Sequence, residues 1–208
     1  MWSGIAAIVI GYLLGSCPTA YLIGKLRKGV DVRQVGMGNM GAANVFREIG
    51  RREGIIVWAV DVAKGAGAIL IAQALQVTQP WMLGAGAAAL VGHSFPIYIG
   101  FRGGKGAATT MGIFLALAPV PMLITFALLS IPFLVLRRII AAICIVAPIL
   151  PFLIWKIEDS VILAWYAAAI LLFMALRNIP SPQKIREMVA QFKNRKATRP
   201  HEGSGLDI

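Results

Sequence analysis

Six long apolar runs, each closed by charged or turn-forming residues, constrain this chain more than any other feature: Trp2 to Ile23, Ile55 to Ala74, Pro80 to Ile99, Met111 to Leu136, Ile139 to Trp155 and Val161 to Leu176. A helix crossing the hydrocarbon core of a bilayer needs about 20 mostly apolar residues, and runs of this length match that need. Composition agrees, with 58% of the 208 residues hydrophobic and 14% charged. A soluble domain carries about 25% charged residues. Too few polar side chains remain to cover a water-facing surface, so the excess apolar surface must face lipid. Disordered, collagen-like and disulfide-scaffold chains are excluded on the same grounds. The expected fold class is all-α, a polytopic membrane protein.

The run from Met111 to Leu136 contains Ala118-Pro119-Val120-Pro121. Proline removes a helix hydrogen bond and collides with the preceding turn. The run is therefore expected to split into a short helix ending at Ala118 and a full one from Val120, which makes seven spans. Five spans with two proline-broken, re-entrant segments is the alternative. Positive segments stay cytoplasmic, and with the N-terminus outside, 18 of the 20 Lys and Arg residues fall on the cytoplasmic side together with the C-terminus. Residues 1–179 read as one integral-membrane domain. Residues 180–208 read as a basic cytoplasmic tail, partly disordered and drawn to anionic lipid. Leu14-Gly15-Ser16-Cys17 resembles a lipoprotein cleavage site, but no basic residue precedes the run, so it reads as a retained span. Cys17 and Cys144 lie inside apolar runs and read as buried thiols with no redox role.

Inside a bilayer the informative residues are polar groups that must be paired or face a cavity. One stretch runs from Asp31 through Gly36, Met37, Gly38, Asn39, Gly41 and Asn44 to Arg47. Its glycines match a dinucleotide-binding spacing, but a membrane helix precedes them where that motif needs a buried strand. What survives is a loop whose backbone N–H groups can curl around an anion, with Arg33, Arg47, Arg51 and Arg52 adding charge. A second stretch carries Gly103-Gly104-Lys105-Gly106. Gly100 stands one residue too near Lys105, and Gly106 replaces the Ser or Thr that would hold magnesium in a nucleotide-binding loop. No nucleotide is implied. The loop instead feeds a short helix whose N-terminus attracts anions.

His93 lies near the cytoplasmic end of the third run, and its structural alternative is a helix-to-helix hydrogen bond. Tyr98 stands five residues on, where a signature common to one class of membrane enzymes needs Asp, so that mechanism is disfavoured. Neither His93 nor His201 has a second ligand at metal spacing, so no metal or cofactor is expected. Asp61 and Lys64, three residues apart on one helix, can neutralise each other. Structural pairing is the expected role, with orientation of a pocket as the alternative.

Five ordered elements make the chain resemble the bacterial acyl-phosphate:glycerol-3-phosphate acyltransferases of the PlsY type: Gly-Ser-x-Pro-x-x-Tyr-Leu-x-x-Lys at 15 to 25, Asp-x-Arg-x-x-Gly-x-Gly-Asn-x-Gly-Ala-x-Asn at 31 to 44, Asp-x-x-Lys-Gly at 61 to 65, Gly-His-x-Phe-Pro at 92 to 96 and Gly-Gly-Lys-Gly-x-Ala-Thr at 103 to 109. The resemblance covers about residues 4 to 180. It implies seven spans in the bacterial inner membrane and a site facing the cytoplasm. The implied reaction moves a fatty acyl group from acyl phosphate to the 1-hydroxyl of glycerol 3-phosphate, releasing phosphate and lysophosphatidic acid. Those two substrates and membrane lipid are the expected partners, with no nucleic acid and no obligate protein partner. The implied catalytic set is His93 as base or orienting group, Lys105 and Asn39. Arg47, Arg51, Gly36, Gly38, Asn44, Gly103, Gly104, Gly106 and Asn178 are implied to bind substrate and phosphate.

The chain departs from the family at Met37, where the pattern has serine, at Ala141-Ala142, where it has serines, and at Ala175, where it has histidine. Loss of one donor to a developing oxyanion costs about 10²–10³ in rate, so turnover is expected to suffer more than binding. The rival readings are a catalytically silent homologue that binds phosphorylated lipid precursors or regulates an active partner, and an anion transporter built on broken helices.

Overall fold

The computed structural model describes residues 1–136, 143 and 145–179, and the regular structure among them is helical. The chain forms two compact units, Met1–Met174 and Ala175–Ile208.

Helix α1 (Trp2–Ser16) is followed by α2 (Thr19–Lys28). The run from Trp2 to Ile23, expected as one continuous span, is thus broken at Cys17-Pro18, because Pro18 has no N–H to continue the ladder. Cys17 is exposed on the bundle surface, and the expectation of a buried thiol is corrected there. Gly29, at φ 68°, ends α2 by donating its N–H to the carbonyls of Gly24 and Lys25. After α3 (Ala42–Glu48) come α4 (Arg51–Ala74) and α5 (Gln79–Ser94). The third apolar run was expected to stay helical to Ile99; α5 stops at Ser94, where Phe95 precedes Pro96 and leaves the α region. Helix α6 (Ala107–Leu117) begins one turn earlier than expected, and α7 starts at Pro119 (Pro119–Leu136), where the proline pair placed the break. Helices α8 (Ile149–Ile157) and α9 (Val161–Asn178) complete the described part. Residues 137–142 and Cys144, which include Ala141 and Ala142, lie outside the described residues, as does the tail from 180.

Among the described residues, four helical stretches are long and apolar enough to cross a membrane: Trp2–Lys28, Arg51–Ala74, Gln79–Ile99 and Val161–Asn178. Helix α6 and the segment Pro119–Pro132 are apolar but shorter.

Helices in lipid gain little from burying apolar surface against each other and depend on close backbone approach. Gly11 and Gly15 of α1 lie against the carbonyls of Ala85 and Ala89 on α5, and Gly92 of α5 lies against the carbonyl of Tyr12. Helices α4 and α6 meet in the same way through Gly65 at the Thr109 carbonyl and Gly112 at the Val62 carbonyl. Ile69, Leu90, Ile113, Phe114, Leu150 and Ile154 fill the main core. A second core of Val32, Met40, Val45, Ile49 and Val57 seats the segment between α2 and α4 on α4 itself.

Candidate active site

The first glycine-rich loop is built around Asn44. Its side chain is fully buried, with Nδ2 at 2.8 Å from the Val32 carbonyl, 3.1 Å from that of Val35 and 2.9 Å from that of Asn39. Its Oδ1 accepts from the Met37 N–H at 2.8 Å. Asn44 was expected to touch substrate; with its amide engaged by the loop, it shapes the cradle. Gly36 and Gly38 adopt φ of 57° and 66°, a region in which a Cβ is strained. Asn39 accepts from the Gly41 N–H at 2.9 Å, which tightens the turn into α3.

Arg33 joins this loop to the second. Its guanidinium pairs with Asp31 through Nε at 3.0 Å and Nη2 at 2.7 Å, and Nη1 donates to the Ile99 carbonyl at 3.1 Å. It also stacks 5.3 Å from the centre of the Tyr21 ring. Hydrogen bonding from Arg33 holds the Asp31 carboxyl below the usual carboxylate range. Arg33 was expected to lend free charge to an anion site. It is a strap, because each of its three nitrogens already has a partner.

The second loop folds back over the end of α5: Gly103 N–H donates to the Ser94 carbonyl at 3.1 Å and Gly104 N–H to the His93 carbonyl at 3.0 Å. Tyr12 of α1 donates to the Phe95 carbonyl at 3.0 Å. Gly104 lies directly on the His93 imidazole, where a Cβ would strike Nε2, Cε1 and Cδ2. Gly106, at φ 88°, starts α6, and the first N–H groups of that helix have no intrahelical partner. Lys105, half-buried, stands immediately before them.

Beneath both loops is a small polar cavity lined by Cys17, Pro18, Thr19, Ala20, Met40, Asp61, Lys64, His93 and Pro96. Lys64 Nζ is 2.8 Å from Asp61 Oδ1 and 3.2 Å from the Cys17 carbonyl, which also accepts from the Thr19 N–H at 3.0 Å. His93 Nδ1 is 3.8 Å from Asp61 Oδ1. The structure therefore brings the loop around Gly36 to Asn44, the loop around Gly103 to Gly106 and His93 to one end of the bundle. Arg47 and Arg51 are exposed beside them, with no carboxylate at ion-pair distance among the described residues, and Met37 sulfur lies 4.0 Å from Arg47 Nη1. Asn178 is the last residue of α9 and belongs, with Ala175, to the second compact unit. Sequence reasoning missed Thr19 and the Arg33 to Ile99 contact. The signals for them were Pro18 beside Thr19 and the i, i+2 pairing of Asp31 with Arg33.

A solved structure of PlsY (YgiH), an integral membrane glycerol 3-phosphate acyltransferase in its glycerol 3-phosphate form, matches this fold with a TM-score of 0.80 and 31% identity, over 91% of this chain and 93% of that one. Its lysophosphatidic acid form matches with a TM-score of 0.78 and 30% identity. The fold and its apolar helices are those of an integral membrane acyltransferase of phospholipid synthesis. A family model described as Glycerol-3-phosphate acyltransferase matches residues 5–187. The glycerol-3-phosphate acyltransferase of Geotalea daltonii is 38% identical over 182 residues, 86% of this chain and 93% of that protein. Glycerol-3-phosphate acyltransferase 1 of Dehalococcoides mccartyi is 36% identical over 202 residues, 91% and 97% of the two chains. The chain belongs to the glycerol-3-phosphate acyltransferase family.

Proposed function

We propose that this acyltransferase draws its acyl group from acyl phosphate and delivers it to the 1-hydroxyl of glycerol 3-phosphate. The hydroxyl oxygen bonds to the acyl carbon, the carbon–oxygen bond to phosphate breaks, and inorganic phosphate and lysophosphatidic acid leave. An acyl phosphate is a mixed anhydride with a good leaving group, so the enzyme needs no covalent nucleophile. Its task is to align two phosphates and stabilise the charge that develops on the carbonyl oxygen. The observation that carries this reading is the Arg33 to Ile99 contact of 3.1 Å, which holds two glycine-rich loops together. That PlsY was solved in glycerol 3-phosphate and lysophosphatidic acid forms supports the same acceptor and product.

In this reading Lys105, the backbone from Gly103 to Gly106 and the start of α6 receive one phosphate. Gly36, Gly38, Arg47 and Arg51 receive the other. Asn39 orients the glycerol or donates to the oxyanion, and His93 takes the hydroxyl proton. The chain crosses the bacterial inner membrane seven times, with its N-terminus outside and its C-terminus and site in the cytoplasm; the distribution of Lys and Arg supports that orientation.

The test supplies purified protein in lipid nanodiscs with labelled glycerol 3-phosphate and either acyl phosphate or acyl-coenzyme A. Lysophosphatidic acid formed from acyl phosphate above the spontaneous rate is the expected result. Product formed only from the thioester would overturn the donor assignment, and no product from either would favour the silent-homologue reading.

A further inference from the structure

Asp61, Lys64 and His93 are 3%, 7% and 7% exposed and share one cavity where the Cys17-Pro18 break and the start of α2 meet α4 and the end of α5. Lys64 is held by Asp61 and by the Cys17 carbonyl. The carboxylate also approaches His93 Nδ1 to 3.8 Å, which is too long for a direct hydrogen bond and suited to an intervening water. Thr19 Oγ1, on the same cavity wall, is buried without a hydrogen-bond partner among the described residues. A buried water needs two to four polar partners and a polar site with room for it. Asp61, Thr19 and His93 Nδ1 supply three, and the cavity is about the size of one water.

We propose that Asp61 is a positioning residue for His93, acting across this cavity through one ordered water that Thr19 Oγ1 also holds. A carboxylate on the Nδ1 side stabilises the tautomer with its proton on Nδ1 and turns the Nε2 lone pair to the opposite edge of the ring. That edge lies against Gly104, at the start of the Gly-Lys-Gly run. The water site thus presets the imidazole as an acceptor facing the second loop. A purely structural ion pair needs neither the histidine nor the threonine, and such pairs can often be replaced by apolar side chains without loss of stability. The proposal rests on the reading that His93 acts at the active site.

The experiment uses the full chain in nanodiscs with His201 replaced by Gln, leaving His93 as the one histidine. Its imidazole nitrogens are followed by ¹⁵N NMR. Asp61→Asn alone strands the Lys64 charge and is expected to fold poorly, so the decisive variant is Asp61→Asn with Lys64→Met, which removes both charges. It is expected to keep the parent melting temperature, lose the Nδ1–H signature and lower kcat about 10²-fold. KM for glycerol 3-phosphate should change by less than about twofold, as expected for a group that acts on the chemical step. Thr19→Val, which leaves the ion pair intact, should shift the same nitrogen signals. Parent imidazole signals in the folded double variant would overturn the proposal, whatever its activity, and so would parent kcat. If the parent protein makes no lysophosphatidic acid, the proposed function fails, while the nitrogen signals still decide the role of Asp61.

Discussion

The backbone of Gly104 and the imidazole of His93 are packed so closely that no Cβ fits between them. Gly104→Ala must move the ring or lift the loop, and overpacking of this kind costs about 1–3 kcal/mol. Acyl transfer is expected to fall about tenfold or more, because a displacement of about 1 Å near the reacting atoms suffices for that. Steady-state kinetics with a melting curve checks this; unchanged kcat/KM would mean that His93 tolerates displacement.

Gly67 offers the contrast. It lies inside α4 with open space where its Cβ would be, so Gly67→Ala should stabilise the protein by about 0.5–1 kcal/mol. Thermal unfolding in detergent reads this directly, and a lower melting temperature would contradict the open space.

Arg33→Lys removes the planar fork that serves Asp31, Tyr21 and Ile99 together. Lysine keeps the charge but cannot reproduce that geometry, and a hydrogen bond from a charged group is worth about 1.5–3 kcal/mol. With the loops untied, kcat/KM is expected to drop about tenfold or more at constant net charge, a factor that corresponds to about 1.4 kcal/mol. Parent kinetics in this variant would show that the strap is dispensable.

Asp31 fixes a pH dependence. Its carboxyl is held below the usual range by Arg33, so the strap contributes stability above the unfolded carboxylate pKa of about 3.9 and loses it as pH falls toward the lower folded value. The melting-temperature gap between parent and Asp31→Asn should be constant from neutral pH down to about pH 4 and shrink below that. A gap that widens in acid would reverse the sign.

Lys105→Ala should lower lysophosphatidic acid formation about 10²-fold or more, the typical loss for a group that stabilises developing charge. Met37→Ser places a hydroxyl beside Arg47 and is expected to raise kcat. Both are read in the nanodisc assay with acyl phosphate; parent rates in Lys105→Ala would displace this lysine from the phosphate site.

The break at Pro119 was legible because two prolines interrupt one long run. Pro18 and Pro96 were not, because a single proline barely changes the hydropathy of a span that continues on either side. The two glycine-rich loops were legible as sharply bent backbone, and Gly36, Gly38 and Gly106 do stand at positive φ. Which side chains stay free to meet a ligand was not. Arg33 finds the Ile99 carbonyl 66 positions away, and Asn44 turns inward to carbonyls that only the folded loop gathers. Asp61 with Lys64 could be paired from spacing alone, whereas their meeting with His93 depends on how α4 and α5 pack.

The Asn44 amide sets the permitted length of the loop it organises. Its four partners sit at positions 32, 35, 37 and 39, and one short side chain reaches all of them only if the chain between is neither longer nor shorter. Insertion or deletion of a single residue there would put carbonyls and N–H out of register together. Exchanges of side chain that keep the residue count leave all four partners of this amide in reach.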